Sequence, residues 1–141
     1  MALHAYRFFS GTCREAMTRY QSIFGGTLEV MTVAELPPGE SGMEGMAPDL
    51  IMHASLVMPD GAMLMASDDP TGDGAPVKGV ALYHGAATIE EGERIFNELS
   101  EGGEVQMPFE PTFWAQRFGA CVDRFGTSWM VGVDHPEGTA H

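Results

Sequence analysis

Lysine and cysteine are almost missing from this chain. Its 141 residues include a single lysine, Lys78, and two cysteines, Cys13 and Cys121. Lys78 follows a loop and precedes a predicted strand, which argues against a buried Schiff-base amine. The cysteines are far apart and outside any Cys-x-x-Cys spacing, so they imply neither a disulfide framework nor a thiolate zinc site, and both are expected to be reduced. Cys13 opens a predicted helix, where the dipole favours a thiolate, although small thiols are more often packing groups. Seven basic residues against twenty acidic ones leave a net charge of −13. That charge repels phosphate backbones and anionic headgroups, so neither nucleic acid nor a membrane surface is an expected partner. No run approaches the roughly 18 apolar residues of a membrane span, and the start lacks a basic region followed by an apolar stretch, so a soluble cytoplasmic protein is expected. Phosphate-loop, dinucleotide, zinc-protease and nucleophile-elbow motifs are absent. Residues 69–74 begin like a calcium loop but place Thr71 at the third position and Val80 at the twelfth, which excludes that reading.

What is present is a globular composition, 44% hydrophobic and 19% charged, and an internal repeat. The length suits one domain. Residues 4–9 read as a strand. Thr12-x-x-Glu15 is a capping box, and Ala16, Met17, Tyr20, Ile23 and Phe24 share one face of the helix it opens. Gly25-Gly26 stops that helix before a strand at 27–33. Shifted by 77 residues, the same order recurs: strand 79–86, capping box Thr88-x-x-Glu91, a helix with Ile89, Ile95, Phe96 and Leu99 on one face, Gly102-Gly103, and strand 104–109. Tyr6 maps on Tyr83.

Each half closes with a hairpin. Strands 50–58 and 62–67 flank Pro59-Asp60-Gly61, and strands 114–122 and 127–134 flank a turn ending at Gly126. Gly61 maps on Gly126 at a shift of 65, so the first half carries about 12 extra residues, the Pro-, Gly- and Met-rich insertion at 34–49. The expected fold is therefore α+β, a βαβββ module repeated in tandem within a single domain 1–141: module one 1–67, linker 68–77, module two 78–141. The helices cover one face of each sheet and the opposite faces curl around a shared cleft.

Paired βαβββ modules resemble the vicinal oxygen chelate superfamily, which includes glyoxalase I, bleomycin-resistance proteins and extradiol dioxygenases. The strings Tyr6-Arg7-Phe8-Phe9, Ile23-Phe24-Gly25-Gly26, Ile51-Met52-His53-Ala54, Met65-Ala66-Ser67-Asp68, Thr112-Phe113-Trp114, Arg117-Phe118-Gly119, Asp123-Arg124-Phe125-Gly126 and Ser128-Trp129-Met130 are similar to its PhnB-like branch. That branch often carries a methyltransferase label, which these residues do not support, since no glycine-rich nucleotide loop follows a first parallel strand. The resemblance implies a homodimer, and the edges of two small sheets give a physical reason for one. Superfamily enzymes hold a divalent ion with one side chain from each of strands one, four, five and eight. Carried over to this chain, those positions fall on His4 or Ala5, Met65, Val80 or Ala81, and Met130. Of these only His4 is a ligand for a hard or borderline ion, so neither a metal nor another cofactor is expected.

Strand alternation places His4, Tyr6 and Phe8 on one face of the first strand, and Ser128, Met130 and Gly132 on one face of the eighth. His53 alternates against Met52, Ala54 and Leu56. The candidate ligand-binding residues are Tyr6, Phe8, His53, Met65, Trp114, Arg117 and Met130. A Met-rich lining adapts to irregular apolar ligands or fills a core. Arg117, set among aromatics, is able to clamp a carboxylate or phosphonate or to pair with a nearby acid. Two functions stay open: metal-independent binding of a small apolar or aromatic molecule, or an isomerase, lyase or dioxygenase acting on a small oxygenated substrate with His53 or Arg117 as its polar group.

Overall fold

Alternating apolar residues and paired glycines translate directly into strands and helix stops. The first half comprises β1 (Ala5–Phe9), α1 (Cys13–Phe24), β2 (Thr27–Thr32), a 3-10 turn at Val33–Glu35, β3 (Ile51–Val57) and β4 (Met63–Asp68). The second comprises β5 (Leu82–Gly85), α2 (Ile89–Ser100), β6 (Glu104–Glu110), β7 (Arg117–Val122) and β8 (Ser128–Val133). This computed structural model describes residues 3–35, 48–72 and 74–136. Most of the 34–49 insertion, with Leu36, Met43 and Met46, therefore lies outside the described residues. Among them, no helix is long and apolar enough to cross a membrane.

The fold is α+β. Two four-stranded sheets share one plan, β1-β4-β3-β2 and β5-β8-β7-β6. In each the outer pair, β1 with β4 or β5 with β8, is parallel and the others are antiparallel. The chain divides into two compact units, Met1–Gly74 and Ala75–His141. Asp68, read from the sequence as the first linker residue, is the last residue of β4.

In unit 1, α1 packs across β2, β3 and β4. Its Cys13, Ala16, Met17, Tyr20 and Ile23 are buried, as are Ala54, Leu56, Leu64 and Ala66 of the sheet. In unit 2, α2 buries Ile95, Phe96 and Leu99, and Cys121, Trp129, Val131 and Val133 are buried with them. Each pattern has the period its element requires, 3.6 in the helices and 2 in the strands. The paired glycines have separate roles. Gly25 and Gly102 take φ of +79° and +77°, a backbone region that other residues rarely adopt. Gly26 and Gly103 are needed for space, because a Cβ there would stand 2.2 Å from the Val57 oxygen and 2.1 Å from the Val122 oxygen.

The two capping boxes part company. Thr88 behaves as expected, its side chain accepting from the Glu91 N–H at 3.1 Å. Thr12 makes no side-chain cap bond. The Asp68 carboxylate takes its place: Oδ1 accepts from the N–H groups of Gly11 and Cys13, and Oδ2 from Ile51, all at 3.0 Å. A charged acceptor at the positive end of a helix outcompetes a hydroxyl. In unit 2 the buried Asp123 organises the last turn, its Oδ1 accepting from Phe125 and Thr127 and its Oδ2 from the Trp129 indole at 2.8 Å.

Of the two readings open for Cys13, packing is the one its burial supports. Burial, reinforced by the nearby Asp68 carboxylate, pushes its thiol up to about 12, and burial likewise raises Cys121 to about 11. A buried thiol beside a carboxylate is a packing group.

Candidate functional site

With α1 and α2 each covering one side of a sheet, strand parity assigns the side chains on the other. On the open face of unit 1 stand Tyr6 and Phe8 of β1, Met65 and Ser67 of β4, His53 and Ser55 of β3, and Glu29 and Met31 of β2. The ladder brings them side by side: Tyr6 pairs with Met65, Phe8 with Ser67, Ser55 with Met65, Glu29 with Ser55, and Met31 with His53.

Tyr6 reaches across β4. Its hydroxyl lies 3.3 Å from His53 Nδ1, with the two rings 5.8 Å apart and the Phe8 ring 5.1 Å from Tyr6. Tyr6 is 42% exposed and Phe8 59%. Of the predicted residues, Tyr6, Phe8, His53 and Met65 are thus gathered on one solvent-facing surface. His4 precedes β1 and is exposed; the residue that the ladder sets beside Met65 is Tyr6.

The open face of unit 2 repeats the arrangement with different chemistry. Tyr83 pairs with Met130, and Phe118 with Gly132. A Cβ on Gly132 would meet the Tyr83 hydroxyl at 2.5 Å, so the missing side chain is what lets Tyr83 lie across β8. The Tyr83 and Phe118 rings stack at 6.5 Å and 28°, Trp114 meets Phe118 edge-on at 5.4 Å, and Phe113 meets Trp114 at 4.9 Å. Burial, then the Asp134 charge, raises the Tyr83 phenol above its usual range, keeping it a neutral hydroxyl at physiological pH.

Two expectations change here. Trp114 sits ahead of β7 rather than within it, because Thr112 and Ala115 close a turn on each other. Arg117 falls on the helix-facing parity of β7 with Gly119 and Cys121, and its Nη1 donates to the Gln116 carbonyl at 2.8 Å. Of the two candidate catalytic residues, only His53 stands on an open face. Tyr83 and Phe118 were missing from the predicted set, though the repeat contained the signal. The shift that carries Gly61 to Gly126 also carries His53 to Phe118, Met65 to Met130 and Ser67 to Gly132.

The superfamily's divalent ion does not suit these residues. The first strand of each sheet presents a tyrosine beside a thioether, and thioethers are soft ligands that suit hard and borderline ions poorly. Among the described residues, no three His, Cys, Asp or Glu side chains come together to hold a metal.

Residues 2–131 match the model of the Glyoxalase/Bleomycin resistance protein/Dioxygenase superfamily. Protein YjdN of Escherichia coli (strain K12) is 33% identical over 141 residues, spanning 94% of this chain and 95% of its own. Among solved structures, protein PA1353 from Pseudomonas aeruginosa is 42% identical with a TM-score of 0.82, covering 95% of this chain and 98% of its own. A Bacillus cereus protein described as a putative 3-demethylubiquinone-9 3-methyltransferase, PhnB protein, shares the fold at 24% identity and a TM-score of 0.73, over 94% of this chain and 99% of its own.

Proposed function

Because this chain belongs to the Glyoxalase/Bleomycin resistance protein/Dioxygenase superfamily, and its open faces carry the thioethers of Met65 and Met130 where the superfamily's enzymes place metal-binding side chains, we propose that it binds a small apolar or aromatic molecule without a metal ion. The observation that carries this reading is the Tyr6, Phe8, His53 and Met65 cluster, in which aromatic rings stay largely exposed on a sheet face. Apolar surface held in water is stabilised by covering at roughly 25 cal/mol per Å², so a flat ring laid on this face gains free energy without any new covalent or ionic contact. Rings and thioethers also make favourable contacts with an aromatic guest. The strings shared with the PhnB-like branch support placing the chain there.

Methyl-resolved NMR with labelled methionine tests the reading. Titration with substituted benzenes is expected to shift the Met65 methyl saturably. A flat response there across the panel would refute it, as would one tightly held transition metal per chain in a native mass spectrum. The active form in this reading is a homodimer, supported by the exposed Val105 and Met107 on β6, an outer strand of its sheet. Light scattering that returned 15.2 kDa at all concentrations would exclude it.

A further inference from the structure

We infer that the Tyr6 and His53 pair gives the open face of unit 1 a set hydrogen-bonding polarity, one that selects a neutral aromatic ligand bearing a hydrogen-bond acceptor, such as an aryl ketone, over the bare hydrocarbon. This deepens the binding reading and rests on it. The Tyr6 oxygen lies 3.3 Å from His53 Nδ1. A phenol is a better donor than acceptor, since its lone pair is shared with the ring, whereas the bare nitrogen of a neutral imidazole is a good in-plane acceptor. The polarity inferred is the tautomer with the proton on Nε2, in which Tyr6 donates and Nδ1 accepts. That N–H is the donor the face offers to a guest.

The neighbours decide what kind of acceptor it takes. Phe8 and Met65 beside Tyr6, and Met31 opposite His53, supply apolar surface. Glu29, the charged group on the same face of β2, stands opposite Ser55, and the chain as a whole carries −13. A carboxylate or phosphate guest meets repulsion from both, while a carbonyl does not.

The repeat supplies the control. In unit 2 the equivalent tyrosine, Tyr83, crosses the equivalent strand to Phe118, the counterpart of His53. A phenylalanine at this station is thus already compatible with the frame, and His53→Phe deletes the polarity while keeping a ring in place.

Acetophenone and ethylbenzene, nearly equal in size, differ in the carbonyl. In methyl-resolved NMR titrations of the full chain, acetophenone is expected to bind about three- to tenfold more tightly, the effect of one net hydrogen bond. His53→Phe, with its fold checked by circular dichroism, is expected to bring that ratio close to one. Imidazole ¹⁵N spectra of the unsubstituted protein are expected to show neutral His53 protonated at Nε2, with the preference weakened in Tyr6→Phe. Equal affinities for the two probes, a ratio that His53→Phe leaves unchanged, or protonation at Nδ1 would overturn the polarity and leave the binding reading standing. If neither probe binds saturably, both fall.

Discussion

Replacing Asp68 with alanine removes one carboxylate from three main-chain donors in two different places. Gly11 and Cys13 flank the start of α1, and Ile51 begins β3. The two at the helix start amount to a lost cap, about 1 kcal/mol. Ile51 is 1% exposed, so its N–H has little access to water, and a buried donor without a partner costs about 1–3 kcal/mol. The expected loss is therefore about 3 kcal/mol, a large part of the roughly 5–15 kcal/mol that holds a typical domain together. Asp68→Asn is expected to fall between, because one amide oxygen replaces one carboxylate oxygen while the amide nitrogen confronts a donor. Thr12→Ala, at the residue with the better capping sequence, is expected to change stability by no more than about 0.5 kcal/mol. Both tryptophans, Trp114 and Trp129, lie in unit 2, so urea unfolding must be followed by far-ultraviolet circular dichroism to see unit 1. The reasoning is refuted if Asp68→Ala costs no more than Thr12→Ala.

Other outcomes follow from the same geometry. Gly103→Ala drives a Cβ to 2.1 Å from a main-chain oxygen and is expected to cost about 3 kcal/mol or more in thermal unfolding; a melt like that of an exposed substitution would contradict the close approach. Asp123→Ala leaves the Phe125 and Thr127 N–H groups and the Trp129 indole N–H without that acceptor, so it is expected to destabilise more than Trp129→Phe, which deletes one donor at about 1 kcal/mol; the reverse order in urea titrations would show the indole bond to be the larger contribution. The thiols of Cys13 and Cys121 rise from 9.0 to about 12 and about 11 on folding. The unfolded chain thus loses these protons first, and their contribution to stability is complete below pH 9 and declines as pH climbs from there towards 12. Unfolding at stepped alkaline pH checks the direction, and both thiols are expected to resist a disulfide reagent at pH 8 until the chain unfolds.

The start of α1 marks where the sequence ceased to be a guide. Among the described residues, periodicity located the eight strands and two α-helices to within a few residues, since burial on one face is a local property that spacing records directly. Capping is local only when its acceptor is. Thr88 satisfied its own helix, but the acceptor for α1 comes from Asp68, which is separated from Cys13 by 55 residues, and no window along the chain connects them. At Cys13 the packing reading outweighs the dipole for a related reason, burial reinforced by a carboxylate brought in from β4. At the candidate site, parity correctly set His53 opposite Ala54 and Leu56. The Tyr6 contact that orients it spans two strands and depends on register, which only the sheet order reveals. Arg117 reads from its aromatic neighbours in sequence as either a clamp or the partner of an acid, and strand parity sets it with Gly119 and Cys121, off the open face.

The borrowed cap bears on the order in which the two helices are expected to form. A peptide of residues 88–100 carries its own Thr88 cap and an i,i+4 pair between Arg94 and Glu98 at 2.5 Å, so α2 has the means to begin forming while the chain is still open. Residues 13–24 alone lack their principal acceptor until β4 is laid beside β1, after a loop of more than fifty residues has closed. The first unit is therefore expected to nucleate more slowly, its helix waiting on a long-range contact, and refolding followed by stopped-flow circular dichroism checks the order.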